Sequence, residues 1–159
     1  MCRNLVRLFP FVKLEGVVEH GFGRGSKTIG FATANLNSAT SSSVKGFLES
    51  DICKDGIYIG WVGLPNGGGV FKAAVSVGNN PTFEDSKVRL LEAHLLDYVG
   101  PDFYDARIRV LLCGFIRSSS KFASIDELTS AISKDCAYAR MWLTTDSSLI
   151  EASKDPFLV

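Results

Sequence analysis

Short β-rich runs separated by tight turn signals dominate the hydrophobic pattern of this chain. Val12 to Glu19 reads as a strand, and Ile57 to Leu64 and Val70 to Val77 are further runs on either side of Pro65-Asn-Gly-Gly-Gly69. Asn-Gly between such runs is a strong hairpin signal, here in a loop longer than the two-residue minimum. Gly60 and Gly63, inside the first of the two runs, predict a bulge or sharp curvature of the kind a small closed barrel needs. Arg89 to Leu96 sets Leu90, Glu92, His94 and Leu96 on one face of a strand and Leu91, Ala93 and Leu95 on the other. Ala106 to Ile116 alternates Arg107, Arg109, Leu111 and Cys113 against Ile108, Val110 and Leu112. Residues 36–51 include Asn-Ser-Ala-Thr-Ser-Ser-Ser, which predicts a loop because small hydroxyl side chains compete for backbone hydrogen bonds.

The periodicity changes to three and four only near the end. Ser124-Ile-Asp-Glu127 is a capping-box sequence, and Ile125, Leu128, Ile132, Cys136, Ala139 and Leu143 then mark one helical face for the core. The helix should fade near Leu143, leaving 144–159 as a polar tail that ends in Pro-Phe-Leu-Val and is able to dock. Several short strands with no interleaved helices argue for a barrel rather than a doubly wound sheet.

Composition narrows the function classes. At 159 residues the chain is one domain, 1–159, with its core over about 12–143, and 46% hydrophobic residues with 11 Phe give it enough apolar surface to pack without staples. Lys plus Arg and Asp plus Glu balance at 17 each, so there is no broad basic footprint for nucleic acid, and any anion site must be local. Cys2, Cys53, Cys113 and Cys136 are widely spaced without a CxxC pair, which fits reduced thiols rather than a disulfide or metal framework. No apolar run reaches the ~20 residues a bilayer crossing requires. Met1 to Leu14 carries Arg3, Arg7 and Lys13 and no acid, as transit peptides do, but it lacks their serine richness, and Phe9, Phe11 and Val12 fit the run into a first strand. A cytoplasmic monomer is expected, with organellar import left open.

The most informative stretch runs from Val18 to Asn35. Gly21, Gly23, Gly25 and Gly30 sit beside Arg24 and Lys27, and the stretch closes on Thr33 and Asn35. Glycines let a backbone approach a ligand closely, and successive N–H groups can form a concave anion site. Ser26 separates the last glycine from Lys27, so this is not a P-loop, and it also breaks the dinucleotide fingerprint. From the residues alone, a phosphate cradle and a glycine-rich hairpin loop with solvated charges both stand.

Taken together, Gly21-Phe-Gly-Arg-Gly-Ser-Lys27 and Gly30-Phe-Ala-Thr-Ala-Asn35 resemble the signature of the riboflavin kinase (flavokinase) family, with Ala32 where that family usually has proline. The resemblance spans roughly 12–143. It implies a mainly β fold, a six-stranded antiparallel Greek-key β-barrel with a C-terminal α-helix packed alongside. It also implies transfer of the γ-phosphoryl of ATP to riboflavin, giving FMN and ADP. Gly21, Gly23, Gly25 and Lys27 would then hold ATP phosphates, and Thr33 and Asn35 would serve Mg²⁺ and phosphate. Lys87-Val-Arg-Leu-Leu-Glu-Ala-His94 is similar to the family's Lys-x-x-x-x-Glu-x-His pattern, in which the glutamate, here Glu92, is the base. Backbone groups at Leu95, Leu96 and Asp97 would meet the adenine. Arg117 and Phe122 match a flavin-side flap in which Ser118 and Ser119 replace Pro-Glu, and Asn80-Pro-Thr-Phe83 matches a structural turn.

The residues also admit plainer roles. Glu92 on an apolar strand could be held by Arg89 or Arg107, His94 fits a satisfied core histidine, Phe122 could staple the helix start, and Trp61 and Trp142 fit the core. The rival to a kinase is a barrel that binds flavin or nucleotide without turnover, as carrier or sensor. It has no use for a base, whereas Thr33, Asn35 and Glu92 occur together. An RNA-binding barrel would need a basic face with interleaved aromatics, and only short basic patches occur. No adenylyltransferase segment is visible, so FAD synthesis is expected to need another enzyme.

Overall fold

The structure is a computed structural model that describes residues 4–19, 32–79 and 89–159. The elements are β1 (Val6–Val17), β2 (Ala32–Asn37), α1 (Ser42–Leu48), β3 (Gly56–Gly63), β4 (Val70–Asn79), β5 (Arg89–Leu95), β6 (Arg107–Ser118), α2 (Ile125–Thr145), α3 (Ser147–Ala152) and a 3-10 turn at Pro156–Leu158. The six strands form one sheet in the order β1-β6-β3-β4-β5-β2, with every pairing antiparallel. Three consecutive strands, β3 to β5, are flanked by β6 returning beside β3, which is the Greek key. The mainly β, six-stranded fold with a C-terminal helix packed alongside is as expected, but the stretch expected as a tail carries α3 and the 3-10 turn, and the sheet is not closed by a ladder. Its edge strands meet at one isolated bridge, where the Glu19 N–H donates to the Asn35 carbonyl at 2.9 Å.

Alternation sorts the side chains onto two cores. Leu14, Ala34, Leu36, Leu91, Ala93 and Leu95 fill the concave interior of the sheet, and Tyr58 stacks edge-on there against Phe47 and Phe115. Ile59, Ala74, Leu96 and Leu111 face the other way and pack beneath Cys136, Ala139 and Leu143 of α2. Gly60 serves close approach: a Cβ there would lie 1.9 Å from the Leu111 carbonyl oxygen, where the β3–β6 register shifts between Ile59 and Gly60. The bulge expected in this run is present. β1 breaks register with β6 between Arg7 and Val12, and Pro10, which has no N–H to give a ladder, lies in that break.

Two expectations are corrected. Residues 36–51 are not all loop, because 42–48 form α1. The serines that argue against helix cap and dock it: Ser41 Oγ accepts from Val44 N–H at 3.2 Å and donates to the Glu15 carbonyl. Val44, Phe47 and Leu48 then supply a one-turn buried stripe. The second correction concerns the helical face of α2. Ile125 is 81% exposed and Leu128 is 41% exposed, so the first two turns leave this face uncovered, and burial begins further along with Asp135, Cys136, Ala139 and Leu143. The Ser124 half of the capping box forms, with Ser124 Oγ accepting from Glu127 N–H, while the Glu127 carboxylate accepts from the N–H of Ala123, one residue before the cap.

The C-terminal segment docks as structured chain. Asp146 caps α3 by accepting from Leu149 N–H and pairs with Arg7 of β1, whose guanidinium holds the Asp146 carboxyl well below the usual carboxylate range. Trp61 Nε1 donates to the Leu149 carbonyl at 2.9 Å, and Leu149, Ala152 and Leu158 are buried. Arg109 donates to the carbonyls of Phe157 and Val159. Cys53, Cys113 and Cys136 are free, and burial pushes the Cys113 and Cys136 thiols up to about 12. No helix among the described residues is long and apolar enough to cross a membrane.

The docked segment yields a stability test. Leu149→Ala should lower the unfolding free energy by about 2–5 kcal/mol, the usual range for truncating a buried leucine. Exposed Glu151→Ala should stay within about 0.5 kcal/mol of the parent. Urea titrations of both variants measure the difference, and equal midpoints would remove 147–158 from the core.

Candidate active site

The candidate site is built by one strand pairing. β2 meets β5 with Thr33 opposite His94 and Asn35 opposite Glu92. Ala34 and Leu36 are fully buried in the interior, so Thr33 and Asn35 point outward with Glu92 and His94. The Asn35 carbonyl accepts from Glu19, away from β5, which makes Asn35 and Glu92 a non-hydrogen-bonded pair. In such pairs the Cα atoms approach to about 4.5 Å and the side chains are closest. The row continues through Ser76 of β4 and Ile57 of β3 to Arg117 of β6. At about 4.8 Å per strand, Arg117 stands roughly 15 Å from Glu92 along the sheet.

Glu92 keeps 34% of its side chain exposed, and its Oε1 lies 3.8 Å from His94 Nε2. The arginines that could have claimed it are engaged elsewhere: Arg89 pairs with Asp55 and donates to the Leu48 carbonyl, and Arg107 pairs with Glu15 at 2.8 Å. His94 is buried at 6% exposure, with Nδ1 3.5 Å from Thr33 Oγ1. Burial pushes its pKa below the ordinary histidine value, against smaller upward pulls from Glu92 and Asp135. Its ring therefore spans two of the candidate site residues, a placement the pattern of the strand did not reveal.

Arg117 is held from α2. Its Nε and one terminal nitrogen donate to the two carboxylate oxygens of Asp135, each at 2.8 Å, and the other terminal nitrogen donates to the Ser118 carbonyl. The guanidinium carbon lies 5.9 Å from the centre of the Phe122 ring, a cation–π arrangement, so Phe122 has a partner other than the helix start. Asp135 is 2% exposed and was missed by sequence reasoning. The signal was available: it sits three residues after Ile132 and four before Ala139, a carboxylate on the buried stripe. Ser76 and Arg140 were also missed, and nothing in their local sequence marks them.

Leu95 and Leu96 are each 1% exposed, the first facing the interior and the second packed under α2, so only their backbone could meet a ligand. The Leu96 N–H already donates to the Lys72 carbonyl. Asp97 adopts φ 60°, and Arg140 of α2 pairs with its carboxylate at 2.9 Å. Gly21, Gly23, Gly25 and Lys27, with Arg24, Gly30, Lys87 and the 80–83 turn, lie outside the described residues. The described chain resumes with β2 at Ala32, which lies opposite Leu95.

Among the described residues no group of three or more His, Cys, Asp or Glu could hold a metal ion. Thr33 and Asn35 offer neutral oxygens on adjacent outward positions. That donor set fits a hard cation such as Mg²⁺ whose charge is balanced by phosphate oxygens, and it does not fit a thiophilic metal.

The Arg117–Asp135 pair makes a second prediction. Asp135→Ala strands a largely buried guanidinium and should cost about 3–5 kcal/mol, whereas changing both partners to apolar residues (Arg117→Met with Asp135→Leu) should recover most of that loss. Urea titration separates the two outcomes, and simple addition of the single losses would show that the charges are not coupled.

A family model described as Flavokinase, riboflavin kinase, matches residues 9–143. The chain is similar to the riboflavin kinase of Pyricularia oryzae, 36% identical over 146 residues that cover 83% of this chain and 70% of that protein. It is also similar to the riboflavin kinase of Mus musculus, 36% identical over 138 residues that cover 87% of this chain and 84% of that one. Among solved structures, riboflavin kinase from Trypanosoma brucei superposes with a TM-score of 0.64 at 28% identity, covering 89% of this chain and 84% of that one. With a family match over most of its length and relatives of this similarity, the chain belongs to the riboflavin kinase family.

Proposed function

We propose that the outward face of β2 and β5 is where this chain carries out its family's reaction. The activity follows from the family: the protein is an enzyme that makes FMN from riboflavin, with ATP as the phosphoryl donor. The observation that carries the site assignment is the row that sets Asn35 opposite Glu92, with Thr33 one step along the same face.

In this reading the terminal ribityl oxygen of riboflavin attacks the γ-phosphorus of ATP, the bond to the β–γ bridging oxygen breaks, and ADP leaves. The hydroxyl proton passes to the Glu92 carboxylate, which is partly open to solvent and free of an arginine partner among the described residues. Phosphoryl transfer runs through a loose transition state, so positioning and charge neutralisation contribute more than covalent chemistry. Thr33 and Asn35 hold a divalent cation, Mg²⁺, which supplies charge neutralisation at the phosphate oxygens when bound. Gly21, Gly23, Gly25 and Lys27 hold the phosphates, and backbone groups of Leu95, Leu96 and Asp97 take the adenine. Arg117 and Phe122 stand on the flavin side, where Asp135 fixes the guanidinium. A carrier or sensor would not require a carboxylate in this position. We further propose a cytoplasmic monomer without nucleic-acid or membrane partners, which agrees with the free cysteines and the balanced charge.

Chromatographic assay of FMN from riboflavin, ATP and Mg²⁺ tests the assignment. Glu92→Gln keeps size and polarity but cannot accept the proton, and kcat should fall at least about a hundredfold while substrate affinities change little. Near-normal kcat with a lowered melting temperature would make Glu92 a structural residue. Thr33→Val and Asn35→Ala should weaken binding of nucleotide with Mg²⁺ more than binding of riboflavin alone. Parallel loss of both affinities together with stability would instead assign the pair to folding of β2.

A further inference from the structure

His94 has both ring nitrogens turned toward the candidate machinery. Nδ1 lies 3.5 Å from Thr33 Oγ1, and Nε2 lies 3.8 Å from Glu92 Oε1. The ring is 6% exposed, with small Ala74 opposite it on β4, so its orientation is set by packing. A histidine kept only for the core would have no reason to point both nitrogens at these two residues.

We propose that His94 is a positioning residue that fixes Thr33 with one nitrogen and Glu92 with the other, resting on the site assignment above. A neutral imidazole has one N–H donor and one lone-pair acceptor, and the bond made by one nitrogen determines the role of the other. Ionised Glu92 only accepts, so the proton belongs on Nε2, facing the carboxylate. Nδ1 is then the acceptor, and the Thr33 hydroxyl donates to it. This tautomer turns the threonine proton inward and leaves its oxygen lone pairs outward for a cation. The opposite tautomer would face a nitrogen lone pair toward a carboxylate and spend a threonine lone pair on the ring. Catalytic contacts are often long before substrate binds and tighten in the complex, which accommodates the 3.8 Å separation.

The two arms can be cut separately. His94→Asn places an amide near the position of Nδ1 and withdraws the group facing Glu92. His94→Gln reaches the position of Nε2 and withdraws the group facing Thr33. For His94→Asn, kcat should fall about 10–100-fold, the usual effect of losing an orienting partner, with affinity for the ATP analogue AMP-PNP plus Mg²⁺ nearly unchanged. His94→Gln should show the reverse, an affinity loss of about 10–100-fold with a smaller change in kcat. Calorimetric titration with AMP-PNP, with and without Mg²⁺ and in the absence of riboflavin, reads the second arm independently of turnover. Adding His94→Gln to Thr33→Val should cost no further affinity. Equal kinetic effects of Asn and Gln, or losses that follow urea stability without a kcat-against-affinity split, would overturn the proposal. Glu92→Gln and Thr33→Val run alongside keep the two ideas apart. If both leave activity intact, the site assignment fails and His94 has nothing to position. If both impair it and the His94 variants show no split, only this inference fails.

Discussion

The pairing of β2 with β5 is the constraint on which the rest of the candidate site depends. A strand has a side-chain period of two, so a slip of one residue would exchange its faces. Ala34 and Leu36 prevent a slip of β2 along β5, because it would carry their apolar side chains out of the interior and bring Thr33 and Asn35 in. Burial of the inner face is thus what specifies the outer one. Core and chemistry share one alternation, and the polar residues remain on the side where solvation is retained.

Helix α2 ties distant parts of the sheet together through its charges. Asp135 holds Arg117 on the last strand, Arg140 reaches Asp97 at the end of β5, and Asp146, just beyond the helix, receives Arg7 from β1. These contacts do not weigh equally. The Arg140–Asp97 pair is open to water and contributes at most about 1 kcal/mol, whereas the desolvated Arg117–Asp135 pair penalises any change that removes one partner. The helix therefore does more to fix Arg117 in place than to anchor the turn at Asp97.

Much of this was legible in the sequence, and the failures have physical causes. Five of the six strands are visible as β-rich or alternating runs, and the Gly60 bulge follows from a glycine inside a strand. The short strand Ala32–Asn37 went unassigned because it lies at the end of a glycine-rich motif. Helix α1 was hidden by hydroxyl residues that disfavour a helix interior but suit its cap, and the apolar face is only one turn long. The face of α2 was over-read at Ile125 and Leu128, since periodicity reports which residues share a side and not whether anything lies beneath them. Local sequence identified Glu92, Thr33 and Asn35 as chemically interesting. It could not bring Asp135 to Arg117 or His94 to Thr33, because the first contact depends on where α2 packs and the second on which strands become neighbours.

The Greek-key order has a consequence for how the chain is made. β1 pairs with β6 alone in the ladder, and some ninety residues must be synthesised between the end of one and the start of the other. At typical elongation rates of about 5–20 residues per second, β1 would wait roughly 5–20 s for its partner. Throughout that interval its backbone donors and acceptors are available to any passing strand. Arg7, Pro10 and Lys13 lie along β1, and charge and proline are the residues that discourage adventitious pairing. The nascent chain thus carries its own protection against aggregation on the strand that must wait longest for a neighbour.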